Sequence, residues 1–173
     1  MSMYQAVGLS RKKIRGIAKK IREIFNITEY SFPIVEFIDL VLPQLDEEFS
    51  LSVVEPSELP PGHYAVTYPD KHEMLIRRDV YDNAVLGDGR SRFTLCHELF
   101  HYLFHTSENI SFARADEKLP PYIDPEWQAN TFAAELMIPL DLVKGMNENE
   151  IIKKCNVSRQ CAKIQMRYYK SVY

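Results

Sequence analysis

Apolar residues recur at Leu9, Ile14, Ile17, Ile21 and Ile24 with cations between them, and this spacing predicts an amphipathic helix. Pro33 opens a second apolar stretch, 34–42, which Pro43 is expected to stop. Three short β-prone runs follow at 49–54, 64–68 and 74–77, separated by Pro60-Pro61-Gly62 and Pro69-Asp70, and they suggest a small meandering sheet. Gly87-Asp88-Gly89 punctuates the chain before a long helix over about 91–105. Residues 106–123 look like a loop. Asp124-Pro125 supplies an N-cap and a first-turn proline for a helix running to about 138, ahead of Pro139. Two further helices are expected over about 148–155 and 158–169. The pattern is that of an α+β fold: a helical core, a small three-stranded sheet and a helical tail. The expected division is 1–140 for the core with its N-terminal helices and 141–173 for a tail packed on it.

Composition narrows the class. With 173 residues, 46% hydrophobic and 26% charged, the chain is long enough to bury a core and too apolar to be disordered. A formal charge of −3 excludes the molecule as a whole from binding polyanions. The balance is uneven, however. Arg11, Lys12, Lys13, Arg15, Lys19, Lys20 and Arg22 crowd one end, and Lys153, Lys154, Arg159, Lys163, Arg167 and Lys170 the other. Both runs lie on helix-like patterns and read first as solvated faces, with contact to nucleic acid or an acidic partner as the other reading. Three cysteines, Cys96, Cys155 and Cys161, do not make a disulfide framework. Residues 1–10 carry no apolar region of the secretory kind, and no stretch approaches a membrane span. A reducing, cytoplasmic setting is expected.

The chemistry concentrates in His97-Glu98-Leu99-Phe100-His101. On a helix, positions i and i+4 lie about 40° apart and one turn above each other, so both imidazoles can reach one ion. Zinc suits imidazole and accepts a tetrahedral site with one open position; manganese is the alternative ion. Glu98 is placed to take a proton from a metal-bound water as general base. Phe93, Leu95, Leu99, Leu103 and Phe104 make the surroundings apolar, and polar groups in such a helix need partners. The plain alternative is a polar stripe of hydrogen-bonded histidines.

A third ligand is needed. Phe104 and Ser107 stand where a metzincin has glycine and histidine, so that class is excluded. His105 lies about 12 Å along the axis from His97, too far to share an ion with it, although it could line the cleft. On the helix after Asp124, Glu126, Asn130, Ala133 and Met137 share one stripe, and Ala129, Ala133 and Ala134 permit close helix approach. Glu126 can offer an oxygen ligand, or it is a first-turn glutamate favoured by the helix dipole. Asn130 can hold the far nitrogen of a liganding histidine. Glu135 lies about 180° round from Glu126 and is rejected as a ligand. Some donor must stabilise the oxyanion; Tyr64, His63 and Tyr122 are candidates, and spacing selects none. Cys96 reads as a small buried residue and Trp127 as core packing.

The blocks Arg92-Phe93-Thr94-Leu95-Cys96-His97-Glu98-Leu99-Phe100-His101 and Glu126-Trp127-Gln128-Ala129-Asn130-Thr131-Phe132-Ala133-Ala134-Glu135-Leu136-Met137-Ile138-Pro139 resemble the ImmA/IrrE family of metallopeptidases. That family's pattern is RFTLAHELGH followed by ExxANxFAAELLMP. The likeness covers about 50–140, and Cys155-Asn156-Val157-Ser158-Arg159-Gln160 is similar to the turn of the partial helix-turn-helix that follows the core in family members. The resemblance implies a thermolysin-like (gluzincin) site with His97, His101 and Glu126 as zinc ligands and Glu98 as base. It implies a cytoplasmic site-specific endopeptidase whose protein substrate is a helix-turn-helix repressor of a phage, mobile element or stress regulon. The alternative is a DNA- or repressor-binding regulatory module with an idle metal site; direct DNA contact stays open. Phe100 stands where the family usually has glycine, and its bulk is expected to crowd the neighbouring helix or narrow the cleft.

Overall fold

The computed structural model describes residues 4–113 and 119–171. The fold is α+β, mostly helical, with a small mixed sheet and a cluster of helices at the C-terminal end. In chain order the elements are β1 (Tyr4–Ala6), α1 (Arg11–Ile24), α2 (Ile34–Glu36), α3 (Leu42–Leu45), β2 (Ser50–Val54), β3 (Ala65–Tyr68), β4 (Glu73–Arg77) and α4 (Arg78–Val85). They continue with α5 (Gly89–Phe104), β5 (Ile110–Phe112), α6 (Pro125–Met137), α7 (Leu140–Val143), α8 (Glu148–Cys155) and α9 (Arg159–Lys170).

Helices α5 and α6 form the centre. The caps expected for α6 are present: Asp124 accepts from the Glu126 backbone N–H at 3.0 Å. Asp88 does the same for α5 through Ser91 N–H at 2.7 Å, so the helix begins two residues earlier than its apolar pattern suggests. Ala129 and Ala133 are fully buried on the α6 side and let the two helices close on Leu95, Leu99, Phe132 and Leu136. Phe100 is also fully buried. Its ring meets Phe132 of α6 at 4.8 Å and Phe104 at 4.7 Å. It fills the core between the helices and does not narrow the cleft, contrary to the second expectation for it. Burying that ring contributes on the order of 2 kcal/mol, and replacing helical glycine adds about 1 kcal/mol.

The sheet is not a meander. Its order is β2-β4-β3, with β2 parallel to β4 (Ser50 opposite Glu73) and β3 antiparallel to β4 (Ala65 opposite Ile76). β4 takes the centre because Met74 and Ile76 are fully buried, and a central strand pairs along both edges. The 55–64 connection therefore carries β3 to the far side of β4, where it becomes an edge strand lying along α5. The predicted loop 106–123 contains β5, which pairs antiparallel with β1, Tyr4 opposite Phe112; its residues 114–118 lie outside those described.

Pro43 does not stop the second helix. The chain passes from α2 through a π-helical turn, Phe37–Val41, into α3, and Pro43 sits in the first turn of α3. The wider π turn, closed by Leu42 N–H to Phe37 C=O, makes room for a ring that has no N–H to give.

Helix α1 packs on α6 through Ile14 and Ala18, and its cations divide. Lys12, Lys13, Lys19 and Lys20 face solvent. Arg11 and Arg15 turn inward to the fully buried Glu135 carboxylate at 2.8 and 2.9 Å. Arg22, 5% exposed, donates to the carbonyls of Leu136, Glu29 and Tyr30. The basic run of α1 is thus only partly a solvated face, because a buried carboxylate and buried carbonyls need donors.

The C-terminal helices share the same core. Val143, Ile151, Cys155, Val157 and Ala162 are buried in it, and the buried Tyr169 hydroxyl meets the Ile138 carbonyl and Glu135. The α8–α9 turn rests on the start of α5. A Cβ at Gly89 would stand 2.6 Å from the Ser158 nitrogen, so only glycine permits this approach.

Candidate metal centre

The HExxH turn of α5 and the first turn of α6 open on one cleft of about 380 Å³, lined by His63, Thr67, His97, Glu98, His101 and Glu126 among others. Glu126 Oε2 lies 3.3 Å from His97 Nε2, and its Oε1 lies 3.4 Å from His101 Nε2. The two Nε2 atoms are 3.0 Å apart. One potential ligand atom from each of the three residues falls within 4.8 Å of the others. The structure therefore brings together the three residues the sequence singled out, from two helices whose contact is set by the alanines of α6.

The electrostatics follow from this crowding. Contacts to His101 and then His97 hold the Glu126 carboxyl far below the ordinary carboxylate range, against the effect of burial. Burial acts to lower the His97 pKa, but the hydrogen bond to Glu126 and the charges of Glu98 and Glu126 outweigh it and raise the value. On the far side, His97 Nδ1 meets Asn130 Oδ1 at 3.1 Å. A carbonyl oxygen only accepts, so His97 Nδ1 carries a proton, and Nε2 is the ring nitrogen turned toward Glu126. Two ring nitrogens converging on one carboxylate make a cluster that could hold a metal ion. Two imidazole nitrogens and one carboxylate oxygen are a donor set that zinc accepts.

Glu98 is 8% exposed and lines the same cleft. Thr67 of β3 donates its hydroxyl to Glu98 Oε2 at 2.7 Å. No spacing in the sequence announces Thr67; only the crossing of β3 to the sheet edge sets it against α5. Of the three oxyanion candidates, His63 lines the cleft. Tyr64 lies outside its lining with its ring under the Arg77 guanidinium at 4.6 Å, and Tyr122 lies outside it as well.

His105 does not line the cleft. It is 6% exposed, packed behind His101 and against Phe100, and burial pushes its ring down to about 4. Glu135 faces the opposite side of α6 from Glu126, among arginines. Cys96 is fully buried, and burial pushes its thiol up to about 12, the state of an inert packing residue. Trp127 is partly buried and packs against the core.

The IrrE N-terminal-like domain, a peptidase family, matches residues 47–163, more than half of the chain. That span contains the sheet, α5, α6 and most of the C-terminal helices. No curated protein matches the chain.

Proposed function

Since the chain belongs to the IrrE N-terminal-like domain family of peptidases, we propose that it is a zinc-dependent endopeptidase. The observation that carries this reading is the convergence of His97, His101 and Glu126 beside Glu98 in an open cleft. His97 and His101 offer Nε2 and Glu126 offers a carboxylate oxygen to the ion, with manganese as the alternative metal. Bound there, the ion supplies a polarised scissile carbonyl and a water that is nucleophilic near neutral pH.

The chain's own groups do the rest. Glu98 takes the proton of the attacking water and passes it to the departing amine, as a general base and then an acid. Thr67 holds Oε2 of Glu98, which fixes the direction of that transfer. Of His63, Tyr64 and Tyr122, only His63 lines the cleft, and it is assigned to face the oxyanion. β3 is an edge strand in its sheet and forms one wall of the cleft. Its unpaired edge can bind an extended peptide by strand addition, which fits a protein substrate rather than a small amide.

The substrate class we propose, on the family resemblance alone, is a helix-turn-helix repressor of a phage, mobile element or stress regulon, cut at one site in the cytoplasm. Among the described residues no helix is long and apolar enough to cross a membrane. The regulatory-module reading has less support. The α8–α9 turn is seated against Gly89 and α9 buries Ala162, Gln165 and Tyr169, although Lys163, Arg167 and Lys170 remain exposed.

The test is zinc-dependent cleavage, at one site, of a helix-turn-helix repressor, taken first from any encoded beside this chain's gene. Glu98→Gln should abolish cutting while zinc still binds. Cutting by Glu98→Gln at the wild-type rate would show the base to be another group.

A further inference from the structure

Behind His101, on the side away from Glu126, stand two buried polar side chains that the proposed chemistry does not use. His105 is 6% exposed and Gln128 is 1% exposed. Gln128 lies on α6 between Glu126 and Asn130. Its amide nitrogen donates to the Val7 carbonyl at 2.9 Å and the Tyr122 carbonyl at 2.7 Å. Both partners can only accept, so the two ends of the amide cannot be exchanged.

Protons then follow one from another. Gln128 Oε1 faces His105 Nε2 at 3.0 Å and must accept, which places the His105 proton on Nε2. His105 Nδ1 faces His101 Nδ1 at 2.8 Å. In neutral His105 that atom is a lone pair, so the proton between the rings belongs to His101 Nδ1. A neutral His101 then keeps its lone pair on Nε2, the atom directed at Glu126 and at His97 Nε2.

We propose that Gln128 and His105 form a relay, anchored on the Val7 and Tyr122 carbonyls, that fixes His101 in the Nδ1–H form and presents its Nε2 to the metal. Both are positioning residues, and the proposal rests on the metal-site reading above. Helix α6 then serves the site three times: Glu126 to the ion, Asn130 behind His97, and Gln128 behind His101 through a second imidazole. A neutral ring gives His101 the acceptor it needs without burying a second carboxylate, which would require its own cation. The relay also ties the site to the segment joining β1 to α1, since Val7 supplies one of its two anchors.

The experiment has two parts. The first is the histidine ring nitrogen and proton NMR spectrum of the metal-free wild-type protein. It should show His101 protonated on Nδ1 and His105 protonated on Nε2. The second is zinc affinity, by competition with a chromogenic chelator, for wild type, His105→Leu and His105→Asn. His105→Leu should bind zinc about ten- to a hundredfold more weakly, the usual cost of losing a partner behind a liganding histidine. His105→Asn, whose Oδ1 takes the place of Nδ1, should recover most of the loss. The relay is overturned by the opposite tautomer on either ring, or by folded His105→Leu that binds zinc as tightly as wild type. If His105→Leu does not fold, the wild-type spectrum decides alone. Failure of the metal reading would look different: wild type would take no zinc although its tautomers are those stated.

Discussion

Helix α6 carries two glutamates half a revolution apart, and the two are finished differently. Glu135 is fully buried, yet Arg11, Arg15 and the Tyr169 hydroxyl surround it, so its charge is matched by fixed charges of the chain. Glu126 is 58% exposed in its side chain and faces two imidazoles whose nitrogens crowd within 3.0 Å of each other. The first carboxylate is complete inside the protein. The second has imidazoles and no fixed cation of the chain beside it, and on the proposed reading a metal ion supplies the missing charge. Burial alone would have pointed to Glu135 as the unusual residue; the partners show that Glu126 is the one with work outside the fold.

This contrast can be broken by substitution. Glu135→Gln should destabilise the protein by about 3–5 kcal/mol, because two partly buried arginines lose their partner. Zinc affinity of the folded fraction should stay at the wild-type value. Denaturant unfolding in the presence of a chelator, paired with zinc titration, measures both. A large loss of zinc affinity with little loss of stability would erase the distinction between the two faces.

A smaller effect is expected at Thr67. Thr67→Val keeps the shape and removes the 2.7 Å hydrogen bond to Glu98. Turnover should fall about tenfold, with KM and zinc affinity nearly unchanged, since the lost contact orients the base and not the metal. Steady-state kinetics on a peptide spanning the cleavage site separates the two parameters. A rise in KM at constant kcat would place Thr67 in substrate binding instead.

The smallest effect belongs to a third carboxylate, which sharpens the comparison because it too faces a histidine. Asp46 meets His72 Nδ1 at 2.5 Å and the Tyr102 hydroxyl, outside the cleft. The Tyr102 and His72 hydrogen bonds lower the Asp46 pKa, and the Asp46 bond raises that of His72. The Asp46 contribution is present above its ordinary value of 3.8 and is lost as pH falls through the lowered one. The His72 contribution is present below its ordinary 6.5 and is lost as pH rises through the raised one. His72→Ala should therefore lower Tm slightly at pH 5 and not at pH 9, with no change in zinc binding. An equal shift at both pH values would remove the ionic part of the contact.

Much of the site was legible in the sequence because its parts repeat with the helical period. His97 and His101 are one turn apart, Glu126 and Asn130 are one turn apart, and the alanines of α6 announce a close neighbour. What was not legible depends on where a distant element lands. Thr67 reaches Glu98 only because β4 inserts between β2 and β3, and strand order leaves no mark on the spacing of short apolar runs. His105 could line the cleft by its place on the helix, yet it is buried behind His101. Its partner Gln128 is in the neighbouring helix and its anchor Val7 lies near the start of the chain. Pro43 was read by its usual effect, and the π turn before it had no local signal. Phe100 looked obstructive beside the glycine of the family pattern, but the ring turns toward Phe132 and into the core.

On the proposed reading, three side chains from two helices share one cation. The most direct measurement is calorimetric zinc titration of the metal-free wild type and of Glu126→Ala. One zinc per wild-type chain is expected, with an affinity lower by roughly a hundredfold or more in the variant, whose stability in chelator should match wild type. Wild-type protein that takes up no zinc, or Glu126→Ala that binds it with unchanged stoichiometry and affinity, would contradict it.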